Sequence, residues 1–178
     1  MTDPSVSPEQ LAQLSADVAQ YITDQRERYR PAAIPLSLEQ MTAMAGHFSP
    51  ELLAEVRVMS LKSEQLETPT FFLMGLDLID PTAFTMMAAM TFSDVIVSNV
   101  PLTDSILFHE LVHCEQYLQL GVRGFAESYA KGYFEQGGYH GIPLEEQAYM
   151  LGARCALNPD EPFSVEREVA SWIAERRF

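Results

Sequence analysis

Leu11, Leu14, Val18 and Ile22 recur at the three-to-four-residue spacing of a helix face, behind Ser7-Pro8-Glu9-Gln10. That tetrapeptide joins an N-cap serine, a proline at the first helical position and a capping-box glutamine. The pattern predicts a helix of about 20 residues ending near Arg30-Pro31, because the residue before a proline leaves the helical region. Ser37-Leu38-Glu39-Gln40 repeats the capping box, Gly46 offers a stop, and Ser49-Pro50-Glu51 opens another short helix through Leu53 and Val56. His47 falls in the break between the two and reads as a surface or capping residue rather than a ligand.

Between Val56 and Val100 the period changes. Thr68-Pro69-Thr70-Phe71-Phe72 and the stretch from Thr85 to Val97 are rich in Thr, Phe, Val and Ile, with Asp80-Pro81 and Ser93-Asp94 as turns. They predict a small antiparallel sheet. The chain then passes through Asn99-Val100-Pro101 into a helix opening at Thr103, Asp104 or Ser105. Leu107, Leu111, Cys114 and Leu118 form its apolar row, flanked by Phe108 and Val112, and Gly121 is its stop. Further helices follow around Phe125–Phe134, from Pro143, and after Ser164, where Val165, Val169, Trp172 and Ile173 make a packing face. Trp172 reads as a core anchor.

The expected architecture is α+β. One domain of 178 residues divides into N-terminal helices over 8–60, a small sheet over 68–98, a helical core over 104–154 and a C-terminal helix over 164–177. A formal charge of −14, from 25 acidic and 11 basic side chains, repels phosphate backbones and anionic lipid surfaces, so neither nucleic acid nor membrane is an expected partner. With no signal-peptide pattern and no apolar run long enough for a bilayer, a cytoplasmic location is expected. Cys114 and Cys155 stand apart without a C-x-x-C spacing and read as reduced, buried thiols.

The chemistry lies in His109-Glu110-Leu111-Val112-His113, an H-E-x-x-H sequence on the fourth helix. Residues four apart share a helix face, so both imidazoles can reach one Zn²⁺ while Glu110 stands beside them as general base. A solvated pair of histidines with a surface acid is the plainer alternative. Catalytic zinc takes three protein ligands and keeps one position open. The extended H-E-x-x-H-x-x-G-x-x-H form is excluded, because positions 116 and 119 are Gln116 and Gln119. Another source is a glutamate on a later helix. Pro143-Leu144-Glu145-Glu146 places two carboxylates in a first turn, with Glu145 preferred and Glu146, about 100° round the helix, the alternative.

This arrangement resembles the gluzincin type of zincin metallopeptidase, in which H-E-x-x-H on one helix is joined by a glutamate on the next. The resemblance spans about Met86 to Arg154. Leu107-Phe108-His109 through Gln116-Tyr117 is also similar to the L-x-H-E-L-V-H-x-x-Q-Y pattern of small bacterial zincin-like proteins of unknown function. It implies a mainly helical zincin-like domain with its sheet next to the H-E-x-x-H helix. Gluzincins often carry an Asp four residues after the glutamate ligand, orienting the first histidine; that position here is Tyr149. A phenol there can hydrogen-bond to His109 but carries no carboxylate charge.

The function expected is zinc-dependent hydrolysis of peptide bonds in a peptide or protein substrate, with Glu110 moving the proton. Tyr129, Tyr133, Tyr139, His140 and Tyr149 are candidates for stabilising the transition state, none singled out by sequence. His140, in Gly138-Tyr139-His140-Gly141, could overhang the site from a turn. The rival reading is a zincin-like domain that binds zinc or a protein partner without turnover.

Overall fold

The computed structural model describes residues 7–61, 66, 87–135 and 141–178. The expected strand at Thr68–Phe72, the Asp80-Pro81 and Gly137-Gly138 turns, Tyr139 and His140 lie outside them. Helix α1 spans Pro8–Tyr29; Ser7 Oγ accepts from the Gln10 amide while the Gln10 side chain reaches back, closing the capping box. The same device starts α2, Leu38–Met44, and Ser49 caps α3, Pro50–Glu55. Gly46, at φ 91°, makes the break between them in a conformation that disfavours a side chain.

Among the described residues the sheet has four strands: β1, Ile34–Pro35; β2, Arg57–Ser60; β3, Ala89–Phe92; and β4, Val95–Ser98, in the order β1-β2-β4-β3. It is mixed rather than antiparallel. β3 and β4 form the expected hairpin about Ser93-Asp94, but β2 runs parallel to β4 and is drawn from the stretch read as N-terminal helices. Arg57-Val58-Met59-Ser60 is too short for its alternation to stand out, and its partner lies nearly 40 residues downstream. β4 is buried along its whole length. Val95 and Val97 join one apolar cluster with Ile22, Tyr29 and Phe125, and Ile96 joins the other with Leu107, Leu111 and Val169, as side chains alternating across a strand must. Asp94 in the hairpin turn takes the guanidinium groups of both Arg26 and Arg30, which anchors α1 to the sheet.

Helix α4 spans Asp104–Glu135, with Thr103 Oγ1 accepting from the Ile106 amide near its start. Gly121 breaks it at φ 70°, ψ 165°, the expected stop, and the chain resumes helix at once. Leu107, Leu111 and Cys114 are buried as predicted, but Leu118 is 68% exposed. From Leu118 to Gly124, around the Gly121 break, no residue is buried, and burial resumes at Phe125. Helix α5, Pro143–Leu157, packs along α4, and α6, Val165–Ala174, closes the structure behind its Ser164 cap. α6 ends three residues before the expected boundary; Arg176 takes φ 56°, and the Arg177 guanidinium lies 3.7 Å from the ring centre of the buried Trp172. Among the described residues no helix is long and apolar enough to cross a membrane.

His47 is a core residue, which corrects the surface reading. Its ring packs against Phe108 and Phe163, and Nδ1 accepts from the Phe163 amide at 3.5 Å. The loop before α6 covers it, a contact between segments over a hundred residues apart. Cys114 and Cys155 are free thiols, the first buried and the second half-buried. Burial pushes the Cys114 thiol well above its ordinary pKa, with the Glu110 charge adding to the effect, so it is an inert packing group.

Candidate metal centre

Helical spacing sets His109 and His113 one turn apart on α4, and α5 lays Glu145 across them. His109 Nε2 stands 3.3 Å and His113 Nε2 3.5 Å from Glu145 Oε2, and the two imidazole nitrogens are 3.1 Å apart. The three side chains form a group able to hold a metal ion. Glu146, one residue on, is exposed and does not join it. The histidines do not sit on a solvated helix face. From Leu107 to Tyr117 every residue of α4 except His109 is buried, and α1, α5, α6 and β3 all pack against this helix.

Glu145 reaches the histidines because of a close helix approach. Gly132 in α4 lies against the start of α5 so tightly that an added Cβ would stand 2.5 Å from Pro143 Cδ and 3.2 Å from Ile142 Cα. A proline ring cannot swing aside. Gly132→Ala is therefore expected to push the first turn of α5 outwards, costing about 1–3 kcal/mol of stability and weakening metal binding through Glu145. A parent-like melting temperature and metal affinity for this variant would show that the approach is slack.

Buried charges dominate the electrostatics. Burial by itself disfavours the His113 cation, but the Glu145 charge, helped by Glu110 and a hydrogen bond to Gln116, outweighs it and raises the His113 pKa to about 9. Glu145 shows the reciprocal effect: burial would raise its pKa, yet the adjacent imidazoles hold it well below the usual carboxylate range. Glu110 is buried beside them, and its Oε2 accepts a 2.6 Å hydrogen bond from Thr91 Oγ1 on β3. The first strand of the hairpin that precedes α4 thus holds the carboxylate of the H-E-x-x-H glutamate.

The Tyr149 ring packs against His109, with centroids 4.5 Å apart and planes tilted by 52°. It is 57% exposed, so it covers the outer side of His109 without being locked in place. Tyr129 is half-buried near Glu145, and desolvation with that charge drives its hydroxyl pKa well up; Tyr133, also half-buried, is raised by desolvation.

Four residues escaped the sequence reading. Thr91 could have been suspected from its place in the hairpin before the helix, and Gln116 from its position three residues after His113, on the same face. Gln147 and Gly132 carry no signal in sequence, since their partners come from other helices. No protein-family model matches the chain, and comparison with curated proteins and with solved structures likewise returns no match.

Proposed function

We propose that this chain is a zinc-dependent hydrolase of peptide bonds, of gluzincin type, with His109, His113 and Glu145 as ligands and Glu110 as general base. The convergence of the three donor atoms carries the reading. Ligands about 2.0–2.1 Å from a tetrahedral zinc stand about 3.3–3.4 Å from one another, and the observed separations are 3.1, 3.3 and 3.5 Å. Two imidazoles and one carboxylate are also the donor set of a catalytic rather than a closed structural zinc site. Bound zinc supplies Lewis-acid activation of water and of a carbonyl oxygen.

The remaining chemistry belongs to the side chains. With Oε2 held by Thr91, Glu110 has Oε1 to take a proton from the attacking water, and it passes that proton to the departing amine nitrogen. The new bond joins the water oxygen to the carbonyl carbon, and the carbon–nitrogen bond breaks. Tyr149, over His109, is placed to meet a substrate on the exposed side of the site.

The burial of Glu110 supports the second reading, a zinc-binding domain without turnover, since a general base must be open to water and substrate. Zinc uptake tests the ground common to both. One zinc per chain is expected, and its binding has a definite pH signature. In metal-depleted protein His113 stays protonated up to about pH 9, so zinc must displace a proton. Calorimetry in buffers of different ionisation enthalpy should find about one proton released per zinc at pH 7.5. Apparent affinity should climb about tenfold per pH unit until pH 9 and then flatten. No stoichiometric uptake would overturn both readings; uptake without proton release would overturn the charge arrangement.

A further inference from the structure

The fully buried amides of Gln116 and Gln147 form a one-way hydrogen-bond chain that ends on His113. Gln116 Nε2 donates to the Leu144 carbonyl and to Gln147 Oε1, each at 3.0 Å, and Gln147 Nε2 donates to the Glu168 carbonyl of α6 at 3.3 Å. Backbone carbonyls only accept. The two amide nitrogens must therefore face Leu144 and Glu168, and that leaves Gln116 Oε1 turned to His113 Nδ1 at 2.8 Å. An amide oxygen also only accepts. The ring must present Nδ1–H, and in its neutral form its only lone pair lies on Nε2, the atom facing His109 and Glu145.

The geometry points to Gln116 as a positioning residue that selects the metal-binding tautomer of His113 and joins it to the helix carrying the third ligand. This rests on the zinc reading for its purpose but not for its tautomer. The coupling follows from Leu144, whose carbonyl holds Gln116 and whose neighbour in sequence is Glu145. One amide thus fixes the ring on α4 against the first turn of α5. Because the amide is neutral, it orients the imidazole without placing a further negative charge beside a site that already holds Glu110 and Glu145. An apolar side chain of the same size would fill the space and lose the selection.

Nitrogen-15 NMR of the metal-depleted parent, at alkaline pH where the ring is neutral, reads the tautomer directly, with the His113 signals assigned by their loss in His113→Asn. The expected result is Nδ1–H for the parent. Gln116→Met, folded by circular dichroism, should give a mixture with Nε2–H and a zinc dissociation constant raised about 10- to 100-fold. Gln116→Glu keeps an acceptor towards Nδ1 and should retain the parent tautomer. Nε2–H in the parent, or Gln116→Met with the parent's tautomer and zinc affinity, would overturn the assignment. If Gln116→Met does not fold, the parent spectrum still decides the tautomer, and Gln147→Met, which spares the Leu144 link, should retain it. A parent that shows Nδ1–H but takes up no zinc would sink the hydrolase reading and leave the amide chain standing.

Discussion

Glu145→Ala is expected to raise the zinc dissociation constant by more than the 10- to 100-fold that loss of an outer partner costs, while Glu146→Ala leaves it unchanged. Glu145 Oε2 touches both imidazole nitrogens, and Glu146 is exposed to solvent. The same change should destabilise the metal-depleted fold. Removing Glu145 takes away the main charge that keeps the buried His113 protonated, and burial then disfavours the cation. Losing a shift from 6.5 to about 9 corresponds to on the order of 3 kcal/mol.

The pH window of that loss follows from the two shifts. A raised His113 pKa contributes stability that is full below about 6.5 and vanishes as pH rises through about 9. A depressed Glu145 pKa contributes stability present above its ordinary 4.5 and lost as pH falls below it. Both describe one charge pair, so parent and variant should differ most between about pH 4.5 and 6.5 and converge above 9. Thermal melts in chelator at pH 6 and pH 10 measure this. A Glu145→Ala variant with parent-like zinc affinity and parent-like melting at pH 6 would remove Glu145 from the site.

Glu110→Gln should abolish hydrolysis, by about 10²- to 10⁴-fold for loss of a general base, while the protein still loads one zinc. The substitution is nearly isosteric, and Thr91 Oγ1 can donate to the amide oxygen as it does to the carboxylate. Its effect on zinc affinity is small because two consequences oppose each other. The metal loses a nearby negative charge, but the proton that competes for His113 is also held less firmly, since Glu110 is one of the charges raising that pKa. Hydrolysis in the parent and its loss in metal-loaded Glu110→Gln would establish turnover. Zinc loading with no hydrolysis of a broad peptide set by the parent would favour the non-catalytic reading.

Local signals were legible wherever one segment carries the whole instruction. Capping serines at 7, 37, 49 and 164, prolines at first helical positions and Gly121 marked helix ends, because capping satisfies backbone groups within four residues. The hairpin at Ser93-Asp94 was legible for the same reason. The parallel pairing of β2 with β4, the burial of His47 under Phe163 and the exposure of Leu118 were not, since each depends on what a distant segment covers.

The candidate site divides along the same line. His109 and His113 share a face because an α-helix turns once in 3.6 residues, so sequence alone determined that they could act together and placed Glu110 beside them. Two carboxylates adjoining Pro143 were visible too, but either could have been the third donor. Only the tertiary structure decided for Glu145: α5 meets α4 closely at Gly132 and Pro143, and Glu145 reaches the histidines while Glu146 is exposed. It also decided that the histidines are enclosed, that Thr91 holds Glu110 and that Gln116 holds His113. Helical periodicity fixes which side chains share a face, whereas the partner that face meets depends on packing between helices and strands that no local spacing encodes.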